Sequence, residues 1–187
     1  MFGKAVSYDL FWDPTACEAV EADQKWILAA MQTHGPELVT LLWRILGNEQ
    51  DVCDAYQTTF LRLAHRQGAQ KPRQIRAYLF RTASNTAITM LRRRMAENRT
   101  LSDLDLPTDH DKTASNDFDT QQLAESLRCH LAELPDHLRS VVTLRDLGEL
   151  PYAEVARIMG VSTGTARVYR CKAVQLLAAW MNKEESP

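Results

Sequence analysis

The sequence predicts an all-α chain, built as two small helical domains joined by an acidic flexible linker. Three observations carry this. Glycine and proline are sparse, at seven each in 187 residues. No stretch alternates apolar and polar residues over a useful strand length, and apolar residues recur at three- and four-residue spacing along most of the chain. A hydrophobic fraction of 45% supplies real cores and excludes a chain disordered throughout.

The elements follow in order. Residues 1–22 show weak periodicity and read as an N-terminal arm, with Phe11 and Trp12 as the side chains that could dock on the body. A first domain is expected over 23–98. Its first helix, about 23–33, carries Trp26, Ile27, Ala30 and Met31 on one side, and His34-Gly35-Pro36 is expected to stop it. A second helix, about 36–46, ends at Gly47 with Leu38, Leu41, Leu42, Ile45 and Leu46 as its apolar surface. The third, about 49–66, opens with Asn48 as its cap and acids in its first turn, where they favour the helix dipole. A basic loop, Gly68 to Pro72, leads to a long fourth helix over about 73–97, with Ile75, Leu79, Ala83, Ile88 and Leu91 inward.

Residues 99–120 are acidic, polar and aperiodic, the composition of a linker. A second domain is expected over 121–181, followed by a short tail, 182–187. It begins with a helix over about 120–133. Leu134-Pro135-Asp136 starts another, whose buried face is Leu138, Val141, Val142 and Leu144, and Gly148 closes it.

Charge is segregated along the chain. The formal net charge is only −2. Yet residues 1–59 hold three basic against nine acidic residues, and 60–99 hold ten basic residues and one acid, Glu97. Residues 100–126 turn acidic again. Such blocks create local potentials that can steer a polyanion despite a near-neutral total.

Several functions are excluded or left without support. The four cysteines, Cys17, Cys53, Cys129 and Cys171, form no Cys-x-x-Cys pair, so neither a metal site nor a cofactor is expected. Cys129 and His130 are adjacent and point about 100° apart on a helix, which does not make a nucleophile pair. No His-x-x-x-His, paired acidic metal motif or glycine-rich phosphate loop is present, so no catalytic residue is expected and the chain does not read as an enzyme. No stretch approaches the ~20 apolar residues of a membrane span, and the acidic N-terminus lacks an export signal's pattern. A cytoplasmic protein without membrane insertion is the expectation.

Two stretches carry chemistry. Pro151 to Arg170 reads as two short amphipathic helices around a tight turn, the layout of a DNA-reading helix-turn-helix. Val155, Ala156, Ile158 and Met159 share one face, Gly160 stands where the turn needs positive φ, and Ser162 or Thr163 can cap the second helix. Every formal charge from Arg157 through Lys172 is positive. A helical hairpin buried in a core fits the same pattern. The second stretch, Arg62 to Arg99, interleaves ten basic residues with Phe60, Tyr78 and Phe80, a mixture suited to phosphates and unstacked bases. A solvated basic face fits it equally well.

These residues resemble a family. Leu134-Pro135, Arg139 and Val141, followed by Tyr152, Glu154-Val155-Ala156, Gly160-Val161-Ser162, Gly164-Thr165 and Lys172-Ala173, look like region four of bacterial sigma factors. Upstream, Asp51, Asp54, Gln57, Phe60-Leu61-Arg62-Leu63, Ala77 to Arg81, Asn85, Ala87-Ile88 and Leu91 to Arg94 are similar to region two. The short chain resembles the extracytoplasmic-function (ECF) branch of the sigma-70 family.

The resemblance implies a promoter-specificity subunit that binds the beta and beta-prime subunits of core RNA polymerase, recognises the −10 and −35 elements of promoter DNA, and assists melting. It implies core-polymerase contacts at Asp51, Asp54, Gln57 and Phe60. It implies −10 contacts at Arg73, Tyr78, Arg81, Asn85, Ile88, Thr89, Arg92 and Arg93, with a flipped base held near Gly68 to Arg73. The −35 contacts would be Ser162, Thr163, Gly164, Thr165, Arg167, Val168, Tyr169 and Lys172. An anti-sigma factor is a further implied partner. A polymerase-independent helix-turn-helix regulator is the alternative, and it leaves the acidic third and basic fourth helices unused.

The chain departs from the family pattern at Cys53, Tyr78, Pro151 and above all Val168-Tyr169-Arg170, where a usual core leucine becomes Arg170. Either Tyr169 turns inward, or Arg170 snorkels past the core edge. Val168 would be free to touch a thymine methyl.

Overall fold

A computed structural model describes residues 25–65, 72–102 and 115–184, and all regular structure among them is helical. The helices are α1 (Lys25–Leu46), α2 (Glu49–Ala64), α3 (Ile75–Ser102), α4 (Ser115–Glu133), α5 (Asp136–Val142), α6 (Tyr152–Met159) and α7 (Thr163–Glu184), with a π-helical turn over Thr143–Leu147 after α5. The expected arm (1–22), the loop through residue 71, the middle of the expected linker and the last three residues lie outside the described residues. Helix reaches into the expected linker from both sides, to Ser102 in α3 and from Ser115 in α4.

The two expected helices over 23–33 and 36–46 are one. α1 runs unbroken from Lys25 to Leu46 with Pro36 inside it. A mid-helix proline removes one backbone hydrogen bond and crowds the preceding turn, at a cost of ~3 kcal/mol. Here Gln32 and Pro36 are both exposed, so the missing bond lies on the solvent side of the helix. Against that cost stands a single buried stripe, Ile27, Ala30, Leu38, Leu41, Leu42 and Ile45, which keeps its helical period straight through the proline. Gly35 is buried for a different reason. A Cβ there would lie 2.8 Å from the Tyr56 hydroxyl, so the residue lets α2 approach closely. Burial of Tyr56 pushes its phenol pKa up to about 12.

α2 starts as expected. The Asn48 side chain accepts a 2.8 Å hydrogen bond from the Asp51 N–H, and Glu49 and Asp51 occupy the first turn. α1, α2 and α3 pack as a three-helix bundle over Leu38, Leu41, Leu42, Ile45, Val52, Ala55, Leu63, Leu79, Phe80 and Leu91. α3 buries more of its circumference than its sequence suggests. Phe80, Ser84, Thr86 and Ala87 join the inward set, and α4 and α6 also lie against this helix. The buried Ser84 and Thr59 hydroxyls donate to the carbonyls of Phe80 and Ala55, both at 2.7 Å, so neither is left unsatisfied.

The C-terminal unit packs α5, α6 and α7 around Leu134, Val141, Leu144, Leu150, Val155, Ala156, Ala166 and Ala173, with α4 against α7. Arg139 is buried inside it. Its guanidinium donates to the carbonyls of Leu134 at 2.8 Å and Ala132 at 3.2 Å, and pairs with Asp136, closing the carbonyl end of α4. Burial lowers the Arg139 pKa, and the Asp136 contact opposes that shift. α6 ends where Gly160 adopts φ 71°, and the Val161 N–H returns to the Ala156 carbonyl at 3.0 Å. A Cβ at Gly160 would meet nothing within 4 Å, so Gly160→Ala isolates the backbone strain. It is expected to cost about 1 kcal/mol. The check is thermal unfolding, where a Tm fall of roughly 4 °C or more accompanies that loss in a domain of this size.

The two units touch. α3 packs on α4, α6 and the π-helical turn, and α1 also reaches that turn. Much of the basic block on α3 is engaged here: Arg94 bridges Asp51 and Glu125, each at 3.0 Å, and Arg99 meets Glu133 at 3.0 Å. Partly exposed pairs of this kind contribute roughly 0–1 kcal/mol each, so the charged part of the joint is weak.

Candidate nucleic-acid interface

The recognition helix is α7. Ser162 Oγ accepts from the Thr165 N–H at 3.0 Å and is 2.8 Å from Thr165 Oγ1, so these two residues form the helix cap and its brace. Thr163, Gly164, Arg167, Val168 and Lys172 are exposed and share the outward side, while Ala166 and Ala173 anchor the inward side. Ser162 and Thr165 therefore sit at the edge of the expected −35 surface, with hydroxyls already in use. Tyr169 turns inward. It is half-buried, its ring set edge-on to His137 at 4.8 Å, and it packs against the core. Arg170 stays at the surface but is engaged, with Nε 2.8 Å and 3.0 Å from the two Asp146 carboxylate oxygens. Both ways of absorbing the Val168-Tyr169-Arg170 departure thus occur together.

Tyr152 gave no signal in the sequence beyond the family pattern. The guanidinium carbons of Arg145 and Arg167 lie 4.9 Å and 5.4 Å from its ring centroid. Cation–π contact of this kind orients Arg167 on the outward face before any ligand arrives.

α3 supplies the second surface. Arg73, Arg81, Asn85, Thr89, Arg92 and Arg93 are exposed, and Tyr78 is half-buried. Ile88 is only 5% exposed and belongs to the core, which its place among the inward residues explains. Phe80 is fully buried beneath Arg76, whose guanidinium carbon is 5.2 Å from the ring centroid, and Phe60 is buried too; neither aromatic is open to a base. The loop around Gly68, expected to hold a flipped base, lies outside the described residues up to Lys71.

On α2, Asp54 and Gln57 point outward as expected, beside Thr58 and Leu61. Phe60 does not. It packs in the core with its ring 4.8 Å from that of Tyr56, and Leu61, 56% exposed, takes the outer position. An apolar side chain one helical turn beyond Gln57 was the available signal for Leu61. Asp51 is half-buried and held by Arg94 and Asn48 at the helix cap.

Between the units lies a cleft of about 510 Å³, lined on one side by Arg81, Asn85, Thr89 and Arg92 and on the other by His137, Thr143, Ile158 and Tyr169. Arg81 Nη1 is 3.5 Å from the Ile158 carbonyl, and Arg92 Nε donates to the Ala132 carbonyl at 3.0 Å. The α3 face expected to meet DNA is therefore turned toward the helix-turn-helix unit. Elsewhere, burial pushes the Cys129 thiol up, opposite to what a nucleophile needs. No cluster able to hold a metal ion occurs among the described residues.

Two helical units, each with an arginine-bearing helix and one of them a helix-turn-helix, define a class of all-helical protein with two candidate nucleic-acid surfaces. Known proteins specify that class further. The Sigma-70 region 2 family model matches residues 30–97, and the Sigma-70, region 4 model matches residues 124–177. The chain belongs to the sigma-70 family of RNA polymerase sigma factors, in its ECF branch. It is 30% identical over 149 residues to the ferric citrate uptake sigma factor FecI of Escherichia coli, covering 76% of this chain and 83% of that protein. It is 29% identical over 162 residues to the ECF RNA polymerase sigma factor SigE of Mycolicibacterium smegmatis, covering 83% of this chain; it spans 62% of that relative's length. Among solved structures, CnrH in complex with the cytosolic domain of CnrY shares the fold, with a TM-score of 0.54 at 20% identity over 90% of this chain and 94% of that one.

Proposed function

We propose that this chain binds core RNA polymerase, directs it to promoters with −10 and −35 elements, and assists their melting. In this reading the outer face of α2 (Asp54, Gln57 and Leu61) docks on polymerase. Arg81, Asn85, Thr89, Arg92 and Arg93 of α3 meet the −10 element, and Thr163, Gly164, Arg167, Val168 and Lys172 of α7 meet the −35 element. The chain performs no covalent chemistry. Melting is driven by binding energy, since capture of unstacked bases offsets an unpairing cost of a few kcal/mol each.

The observation that carries the reading is the presence of three separate solvent-accessible surfaces in one family member: acidic-apolar on the outside of α2, basic on α3 along the cleft between the units, and basic on the outside of α7. A regulator working without polymerase needs only the last. The reading also places the protein in the cytoplasm with polymerase; no helix among the described residues is long and apolar enough to cross a membrane. An anti-sigma factor is a second partner in this reading, supported by the complex in which CnrH was solved and by the shared fold.

The test mixes the purified chain with core polymerase and a promoter library. A stable complex and transcripts that depend on promoter sequence are expected. A symmetric dimer bound tightly to duplex DNA, with no polymerase complex, would overturn the reading in favour of an independent regulator.

A further inference from the structure

We propose that the cleft between the two units binds a small amphipathic carboxylate, an anion whose apolar chain is joined to its head through an amide or a similar hydrogen-bonding group. The site rests on the geometry of the cleft. Its effect on promoter DNA rests on the sigma-factor reading, because both use Arg81.

The cleft has the size and the lining for such a molecule. At about 510 Å³ it falls within the roughly 300–1,000 Å³ that small ligands occupy. Ile88, Leu144 and Ile158, at 5%, 2% and 6% exposed, give it an aliphatic floor, and the partly buried Met159 and Val161 line it beside them. An apolar chain laid there leaves water on both sides of the contact.

The charge on the walls selects an anion. Three arginines, Arg81, Arg92 and Arg139, face one carboxylate, Asp136. Asp136 pairs with Arg139 and lies 3.8 Å from Arg92, so Arg81 is left without a carboxylate partner among the described residues. Arg81 Nη1 reaches the Ile158 carbonyl only at 3.5 Å, the outer limit of a hydrogen bond. A guanidinium with this much unused capacity takes a carboxylate through two parallel N–H donors.

Thr143 supplies the most specific signal. It lines the cleft, is 1% exposed, and its hydroxyl has no hydrogen-bond partner. Other helical hydroxyls satisfy themselves locally: those of Thr59, Ser84, Thr89 and Ser140 each donate to the carbonyl four residues back, at 2.7–2.8 Å. Thr143 instead opens the π-helical turn, Thr143–Leu147, and such departures from α geometry recur at functional sites. Buried polar groups are ordinarily bonded, so an unpaired hydroxyl in the wall of an open cleft calls for an acceptor that the ligand brings. An amide carbonyl is such an acceptor.

The test titrates N-octanoylglycine into the full chain by calorimetry. A saturable one-to-one complex is expected, half-formed below about 1 mM. N-acetylglycine lacks the chain, octanoate the amide, and N-octanoylglycine methyl ester the charge; each should bind about fivefold more weakly or worse. Arg81→Gln should weaken N-octanoylglycine about tenfold. Thr143→Val keeps the side-chain shape and should weaken N-octanoylglycine about fivefold while leaving octanoate unaffected. It should also raise the Tm, because an unpaired buried hydroxyl is removed. No saturable binding at about 1 mM, or binding that both variants leave unchanged, overturns the site. A lower Tm in Thr143→Val overturns it too, since the hydroxyl would then have a partner within the fold. On the sigma-factor reading, N-octanoylglycine also displaces a fluorescent single strand of about 20 nucleotides from the chain. Probe binding with the expected dependence on Arg81 and Thr143, but with no core-polymerase complex, keeps the site and overturns the sigma-factor reading.

Discussion

Alanine at both Arg92 and Arg93 is expected to slow promoter opening about thirtyfold while leaving affinity for core polymerase within about twofold. The magnitude follows from two phosphate contacts of about 1 kcal/mol each, which together correspond to that factor. Both guanidinium groups sit on the exposed side of α3. Arg93 is held only by Glu97 one turn along, at 2.7 Å, and Arg92 by a backbone carbonyl of α4, at 3.0 Å. Neither supports the core of the first bundle, so the variant keeps its fold. The check separates two steps: anisotropy of the labelled chain on core polymerase, and permanganate reactivity of unpaired thymines in the promoter. Asp54→Ala, on the outer face of α2, should do the reverse and weaken polymerase binding with little effect on opening by the complexes that form. Equal losses on both assays for either variant would contradict this division of labour.

The largest stability effect is expected at Phe80. Its side chain is fully buried in the second turn of α3, under the Arg76 guanidinium, on a helix that packs against both α1 and α2. Phe80→Ala removes that contact area and leaves a cavity that close-packed helices cannot fill, which costs about 3–5 kcal/mol. Whole domains are stable by only about 5–15 kcal/mol. The variant should therefore sit near its unfolding midpoint well below the denaturant concentration that unfolds the parent. Urea unfolding followed by circular dichroism gives the shift. A loss under about 1 kcal/mol would mean that α3 is not the central helix of the bundle.

Local signals in the sequence were read well where the physics is local. Asn48 caps α2, Gly160 turns the chain between α6 and α7, and Ser162 caps the recognition helix, because each depends on a few neighbouring backbone groups. The break expected at His34-Gly35-Pro36 failed for a non-local reason. Proline's local penalty is outweighed by a buried stripe that both halves of α1 share, and Gly35 serves Tyr56 on another helix. Inverse errors occurred on the expected contact surfaces. Phe60 and Ile88 match family motifs by position and Tyr169 stands where the chain departs from them, yet all three side chains fill space against partners that only the packed structure brings near. The π-helical turn and the positive φ of Glu149 left no mark in composition or periodicity. Charge segregation was visible as blocks, but its outcome was not: α3 arginines spend much of their charge on α4 and α6 acids instead of presenting all of it to solvent.

The placement of α3 has a consequence for how such a protein can change over generations. Arg81, Asn85, Thr89 and Arg92 line the cleft against the second unit and also form the surface assigned to the −10 element. A substitution there alters two equilibria at once, one with DNA and one with the rest of the chain. On the proposed reading, a change on this helix also changes its packing against the second unit, whereas the exposed side of α7 is free to diversify.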